Sequence, residues 1–239
     1  MKYSLELKVA LISVILIIIF MFYLYFFSPD IEKYIKNVDK LPSINDIKNN
    51  FKTGDLLFTS GNNYGSKTIK WATSSYWSHL AIVIVLSPEN NNGKKEILLW
   101  ECDAGQGARK GARLISLEQK LSRYKGSNIG AWKEYIGKKE IDFEKLFKFI
   151  NTYTNKIELQ DRIYSYIFSR YGPKSLYEKV KNKNKWYCSE LVARTYQYLG
   201  ILNEKINPCS VSPEDFFDFN NKDRLQIKKL FNNNIIFKN

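Results

Sequence analysis

Three residues in this sequence stand where their chemistry could be used. Cys188 follows the aromatics Trp186 and Tyr187 and opens a helical pattern of Leu191, Val192, Thr195 and Leu199, which Gly200 closes. A thiol on the first residue of a helix meets orphan backbone N–H groups and the positive end of the macrodipole. These lower a thiol pKa and can also hold an oxyanion. His79, the only histidine of the chain, stands at the entrance of the apolar, β-branched run Leu80 to Leu86. Glu101 ends the apolar pattern Ile97-Leu-Leu-Trp100, where a carboxylate is costly unless it is paired. Each residue also has a plainer reading: a small buried hydrophobe, a structural histidine, and a strand-end acid turned to solvent. Together they offer a nucleophile, a base and an orienter, the parts of a Cys-His-carboxylate triad.

Such a triad works only if separate elements converge. Asp55 to Phe58 reads as a strand, Ser66 to Thr73 as a short helix with Ile69 and Ala72 on one face, and Leu80 to Leu86 as a buried strand. Ser87 to Gly93 is a turn, and Glu96 to Glu101 returns as the hairpin partner, which sets the Glu101 strand beside the His79 strand. Ser116 and Gln119 form a capping box, and Asn128 to Lys133 suggests another strand. Phe143, Leu146, Phe147 and Ile150 mark one helix, and Ile163, Tyr166 and Ile167 a second; Ser212-Pro-Glu-Asp215 is a further helix start. There is no internal repeat. The pattern is α+β, with strands in the first half and helices in the second. Cys102 follows Glu101, so in a strand it faces the other way and reads as structural. Cys209 sits in a Pro-containing loop without a nearby signal. Glu190 is explained as a first-turn acid favoured by the helix dipole. Gly105 and Gly107 lack the strand–helix context of a nucleotide loop, so no phosphate site is assigned.

Composition narrows the classes. With 239 residues, 44% apolar and 26% charged, the chain is neither disordered nor of low complexity. Three cysteines exclude a disulfide scaffold, and one histidine excludes any metal site that needs two imidazoles; no metal and no cofactor are expected. The net charge of +13 is spread along the chain beside Asn-rich segments and carries no binding motif, so nucleic acid is not expected as a partner. Anionic headgroups or plain solvation account for it. From Val9 to Ser28 no charge interrupts an Ile-, Leu- and Phe-rich stretch. At about 1.5 Å per residue it reaches roughly 30 Å, the thickness of a hydrocarbon core. Phe26-Phe-Ser-Pro29 makes a poor cleavage site, so an uncleaved single-pass anchor is expected rather than a signal peptide. The division is 1–8 N-terminal segment, 9–28 transmembrane anchor, 29–50 juxtamembrane helix and linker around Ile31, Tyr34, Ile35 and Val38, and 51–239 the domain proper. Lysines flank the span equally, which leaves orientation open, and the unpaired cysteines lean weakly toward a reducing compartment.

With these residues in view, a resemblance can be stated. Gly54-Asp-Leu-Leu-Phe58, then Ser66, Ile69 and Thr73, then Ser78-His79 before an apolar strand, resemble the opening of the permuted NlpC-type papain-like amidases, the YiiX/YaeF group and its poxvirus relatives. Trp186-Tyr-Cys-Ser-Glu-Leu-Val192 is similar to that group's nucleophile motif, and Ser212-Pro-Glu-Asp215 to the short motif after it. The resemblance spans about residues 51 to 220 with the motifs in the family's order. It implies a circularly permuted papain-like fold, an antiparallel sheet packed on helices. It also implies Cys188 as nucleophile, His79 as base, Glu101 as the third polar residue, and the Cys188 backbone N–H as part of an oxyanion hole. The activity implied is a cysteine amidase, esterase or acyltransferase working through a thioester. The tether favours membrane lipid or lipid-modified substrates, and the family's breadth equally allows peptides. Between Lys156 and Lys185 the sequence departs from the pattern, with Tyr164, Tyr166 and the Lys-rich stretch Lys179 to Lys185, so the resemblance carries the triad and not the substrate pocket. The rival reading is a catalytically silent papain-like scaffold serving as a membrane-bound interaction module.

Overall fold

A computed structural model of the chain describes residues 5–86, 95–104, 110–123, 129–160, 163–180, 182–217, 223–227 and 229–238. Its centre is a six-stranded antiparallel sheet. The strands are β1 (Leu56–Thr59), β2 (His79–Leu86), β3 (Glu96–Asp103), β4 (Gly111–Ser116) and β5 (Ile129–Tyr135), with a short β6 (Glu158–Leu159) and β7 (Lys185–Trp186) forming a separate parallel pair and β8 (Phe231–Lys238) closing the edge. The order across the sheet is β4-β3-β2-β1-β5-β8. The helices are α1 (Leu5–Phe27), α2 (Ile31–Tyr34), α3 (Ile44–Ile47), α4 (Tyr64–Thr73), α5 (Leu117–Arg123), α6 (Phe143–Tyr153), α7 (Ile163–Tyr171), α8 (Lys174–Val180), α9 (Cys188–Tyr198) and α10 (Pro213–Phe217).

Period-two alternation divides each central strand between two cores. Leu56, Phe58, Leu80, Ile82 and Trp100 face one way and bury against Leu191, Val192 and Tyr196 of α9 and Leu146 and Ile150 of α6. Trp100 Nε1 donates to Thr195 Oγ1 at 3.1 Å, which fixes α9 across β3. Leu57, Ala81, Val83, Leu99 and Ile115 face the other way, against Ile44, Ile47, Phe51 and Leu117. A buried carboxylate joins β1 to β5: Asp55 accepts from Trp132 Nε1, the Tyr135 N–H and the Lys52 N–H at 2.8 to 2.9 Å. Burial, only partly offset by those three donors, pushes its carboxyl up to about 6.

The structure bears out an α+β arrangement with an antiparallel sheet packed on helices. Two strands of the six-stranded sheet were not anticipated, nor was the short β6–β7 pair. β4 lies beyond a glycine-rich loop, and β8 ends the chain, pairing with β5 through Gly130↔Phe237 and Trp132↔Ile235. The grouping of strands in the first half is therefore corrected: the last strand of the sheet comes from the C-terminus. Its asparagines hide it from a propensity reading, and long-range pairing with β5 overrides that preference. The turn expected over 87–93 and Gly105 and Gly107 lie outside the described residues.

The N-terminal part also differs from expectation. α1 takes in Glu6 and Lys8 at its start and meets α4, with the Phe20 ring edge-on to Trp71 at 5.4 Å. Among the described residues no helix is long and apolar enough to cross a membrane, so the structure lends no support to the span over 9–28. The segment 29–50 supplies Ile31, Ile44 and Ile47 to the two cores.

Candidate active site

The antiparallel order brings the C-terminal ends of β1 and β3 and the N-terminal ends of β2 and β4 to one end of the sheet. His79, the first residue of β2, is paired directly with Thr59, the last of β1. Gly61 N–H donates to Ser78 Oγ at 2.8 Å, and Trp77 is fully buried, so the approach to His79 is fixed from both sides. Glu101 shares the sheet face of His79 and is fully buried. Its Oε2 lies 2.9 Å from His79 Nε2. That contact leaves the other ring nitrogen, Nδ1, for a second partner, and Cys188 is one of the groups that raise the imidazole.

Cys188 arrives from the opposite sheet face. The β6–β7 pair holds the strand before it, and the Gln160 N–H donates to the Trp186 carbonyl at 2.9 Å. Tyr187 is the extended N-cap residue of α9, so the Cys188 N–H is one of the helix's orphan donors. Ser189 Oγ donates to the Val211 carbonyl at 2.7 Å and ties down the helix start. The Cys188 sulfur sits 4.0 Å from the Ser78 carbonyl, just ahead of His79. Cys188 and His79 line one cleft of about 630 Å³, whose other walls include Ser66 and Ile69 of α4 and Arg123 of α5. The three residues singled out by sequence are thus brought together.

Three further charged residues complete the site. Arg113, directly opposite Glu101 in the β3–β4 register, donates through Nε and Nη2 to Oε1 at 3.1 and 2.8 Å. Lys120 of α5 donates to Glu101 Oε2 and to Asp103 Oδ2, both at 2.7 Å. Burial works against the Glu101 anion, but the hydrogen bond and charge of His79 and then those of Lys120 outweigh it and hold the carboxyl well below the usual range. For His79, burial and the Lys120 ammonium favour the neutral ring. Asp103 and Cys188 oppose them, and the imidazolium is raised to about 9. Asp103 could have been found from sequence, since it lies two residues beyond Glu101 on the same face. Arg113 and Lys120 could not, because their contacts depend on the register of an unanticipated strand.

The donor atoms of His79, Glu101 and Asp103 lie within 4.8 Å of one another, close enough for a metal ion. The chemistry of the donor set does not fit one. The ammonium of Lys120 already bridges both carboxylates, and Arg113 occupies the remaining Glu101 oxygen, so a divalent ion would face two cations across its own ligands. Cys102 turns away, as expected, and donates to the Trp186 carbonyl at 3.2 Å; burial pushes its thiol far up. Glu190 lies in the first turn of α9, as expected, and has more partners than the helix dipole. It is buried, paired with Arg194 at 2.8 Å, and accepts from the Cys209 thiol at 3.0 Å.

No family model matches the chain, and no curated protein matches it in sequence. The chain is similar to solved structures. One of them is described as metalloprotein yiiX from Escherichia coli O157:H7, with a TM-score of 0.44 and 20% identity, over 70% of this chain and 92% of that one. It belongs by name to the YiiX/YaeF group that the motifs resemble. A likeness at that level carries no chemistry across.

Proposed function

We propose that the protein is a papain-like cysteine hydrolase or acyltransferase that uses Cys188, His79 and Glu101. One observation carries this reading: a helix-N-terminal thiol and an imidazole line one cleft, and a nitrogen of that imidazole is 2.9 Å from a buried carboxylate. The Cys188 thiolate attacks the carbonyl carbon of an amide or ester, and the charge that develops on oxygen meets the Cys188 N–H. The bond to the leaving amine or alcohol breaks as the His79 imidazolium gives up its proton to it. A thioester remains. Water or an acceptor hydroxyl or amine, deprotonated by His79, attacks the thioester; the acyl product departs and Cys188 leaves as thiolate. Glu101 keeps the ring oriented and favours its charged form throughout.

Attachment to a membrane through α1 belongs to this reading, with lipid or lipid-modified acyl compounds as the substrates a tether would bring near. Its support is the row of exposed apolar side chains along α1, Ile12, Ile15, Ile18, Ile19 and Phe22 among them.

The test is alkylation by iodoacetamide, followed at Cys188 by peptide mapping, on the full chain in a non-ionic detergent. A free thiol of pKa about 8.5 is only about 0.3% thiolate at pH 6. The wild type should react at pH 6 at least about ten times faster than that fraction allows, and His79→Ala should remove the excess. Equal, slow reaction in both would refute the hydrolase reading and leave the silent scaffold.

A further inference from the structure

Glu101 has two oxygens, and they are not equivalent. Oε1 is taken by the Arg113 fork alone. Oε2 is shared: His79 Nε2 stands 2.9 Å from it and Lys120 Nζ 2.7 Å. The same ammonium reaches Asp103 Oδ2 at 2.7 Å, and the Lys120 side chain is only 8% exposed. A buried lysine is costly unless both its charge and its N–H groups are met, so its presence one hydrogen bond from the imidazole's own acceptor calls for a role. We propose that Lys120 and Asp103 act as a positioning pair: Lys120 competes with His79 for Glu101 Oε2, Asp103 holds Lys120 there, and the pair fixes both the place of Glu101 and the charge that the imidazole meets. The proposal rests on the triad reading and deepens it.

Every charged group that faces His79 enters the argument. β3 brings Glu101 and Asp103, β4 brings Arg113, α5 brings Lys120 and, at the cleft wall, Arg123, and α9 brings Cys188. Thr59 on β1 is uncharged. Around Glu101 the two carboxylates and the two bound cations balance one another, so the loss of any one of them changes the charge that the imidazole meets. Removing Lys120 leaves the ring facing surplus negative charge; removing the Asp103 charge leaves it facing surplus positive charge. The two changes must therefore move the imidazole in opposite directions. A side chain that merely filled space would move it in neither.

The chain has a single histidine, so its imidazole titration is read from one set of ring resonances by NMR. The experiment uses the full chain in a non-ionic detergent. Lys120→Met should raise the His79 midpoint by about one pH unit, and Asp103→Asn should lower it by about as much. Lys120→Arg, which keeps the charge, should leave it within a few tenths of a unit. Midpoints that stay put, or that move together in Lys120→Met and Asp103→Asn, overturn the proposal. If Lys120→Met does not fold, Asp103→Asn decides alone, because a midpoint that fails to fall refutes the pairing. Alkylation of wild-type Cys188 separates the two levels. An ordinary thiol profile there sinks the triad reading, whereas a reactive thiol with unshifted His79 midpoints sinks only the role of Lys120 and Asp103.

Discussion

The pair Glu190–Arg194 lies on the first turns of α9, the helix that presents Cys188, and its removal has a calculable signature. Arg194 Nη2 and Nε stand 2.8 and 2.9 Å from Glu190 Oε1, and the guanidinium stacks over Trp186 at 4.7 Å. The Glu190 side chain is 4% exposed and that of Arg194 35%. Burial raises the Glu190 carboxyl, and Arg194 only partly offsets this. Arg194→Met keeps much of the stacked bulk but leaves a buried carboxylate whose remaining side-chain donor is the Cys209 thiol. Breaking a buried pair costs about 3 to 5 kcal/mol, and the partial exposure of Arg194 places this case at about 3 kcal/mol. The sign of the pH dependence follows from linkage. A carboxyl raised in the folded state binds its proton more tightly there than in the unfolded chain, so folding weakens as pH climbs from the unfolded value through the folded one. Losing Arg194 raises Glu190 further and widens that window. Urea unfolding of the full chain at pH 8 should therefore show the full lesion, and at pH 5, closer to the protonation of the raised carboxyl, a smaller one. Glu190→Gln combined with Arg194→Met should recover most of the loss at pH 8, because no charge is then stranded. A lesion of equal size at both pH values would refute this reasoning, since it would mean that packing, not the orphaned charge, carries the cost.

Two smaller predictions concern the sheet end that holds the site. Gly111 has φ +135, and a Cβ there would lie 2.0 Å from the Ile157 carbonyl oxygen, so Gly111→Ala should cost at least about 2 kcal/mol in urea unfolding; a smaller loss would show that the β4–β6 contact yields easily. The Thr59 hydroxyl is buried beside His79 with no hydrogen-bond partner among the described residues, so Thr59→Val should leave stability unchanged or raise it by up to about 1 kcal/mol; a clear loss would mean that the hydroxyl has a partner, such as water, in solution.

The parts of the molecule that announced themselves in sequence are those whose local pattern and burial agree. Leu80 to Leu86 is β-branched and buried on both faces, and α9 combines an apolar stripe with a Gly200 stop at φ +68. These two elements carry His79 and Cys188, which is why the outline of the site could be read early. β8 was invisible for the converse reason. Phe-Asn-Asn-Asn-Ile-Ile-Phe-Lys has poor strand propensity in the middle, and its place is set by β5 and by the Lys238 N–H donating to the Pro42 carbonyl at 2.9 Å. The place of Glu190 in the first turn was legible, but its burial was not, because a first-turn acid suits the helix dipole whether or not it is buried, and only Arg194 and Cys209 in space distinguish the cases.

The charged ring around Glu101 marks where local pattern stops being informative. Glu101 and Asp103 alternate on one strand face and could be paired on paper, but their cations stand on other elements, Arg113 on the unanticipated strand β4 and Lys120 on the short helix α5. Arg113 faces Glu101 only because β4 runs in the register Glu101↔Arg113, and Lys120 reaches both acids only because α5 folds back over that face, with Leu117 in the core. A buried carboxylate at the end of an apolar strand is itself the clue that such partners must exist, because without them it would not stay ionised. Its cost in isolation predicts cations nearby without naming them. The fold names them, and in doing so puts a lysine on the very oxygen that orients the imidazole.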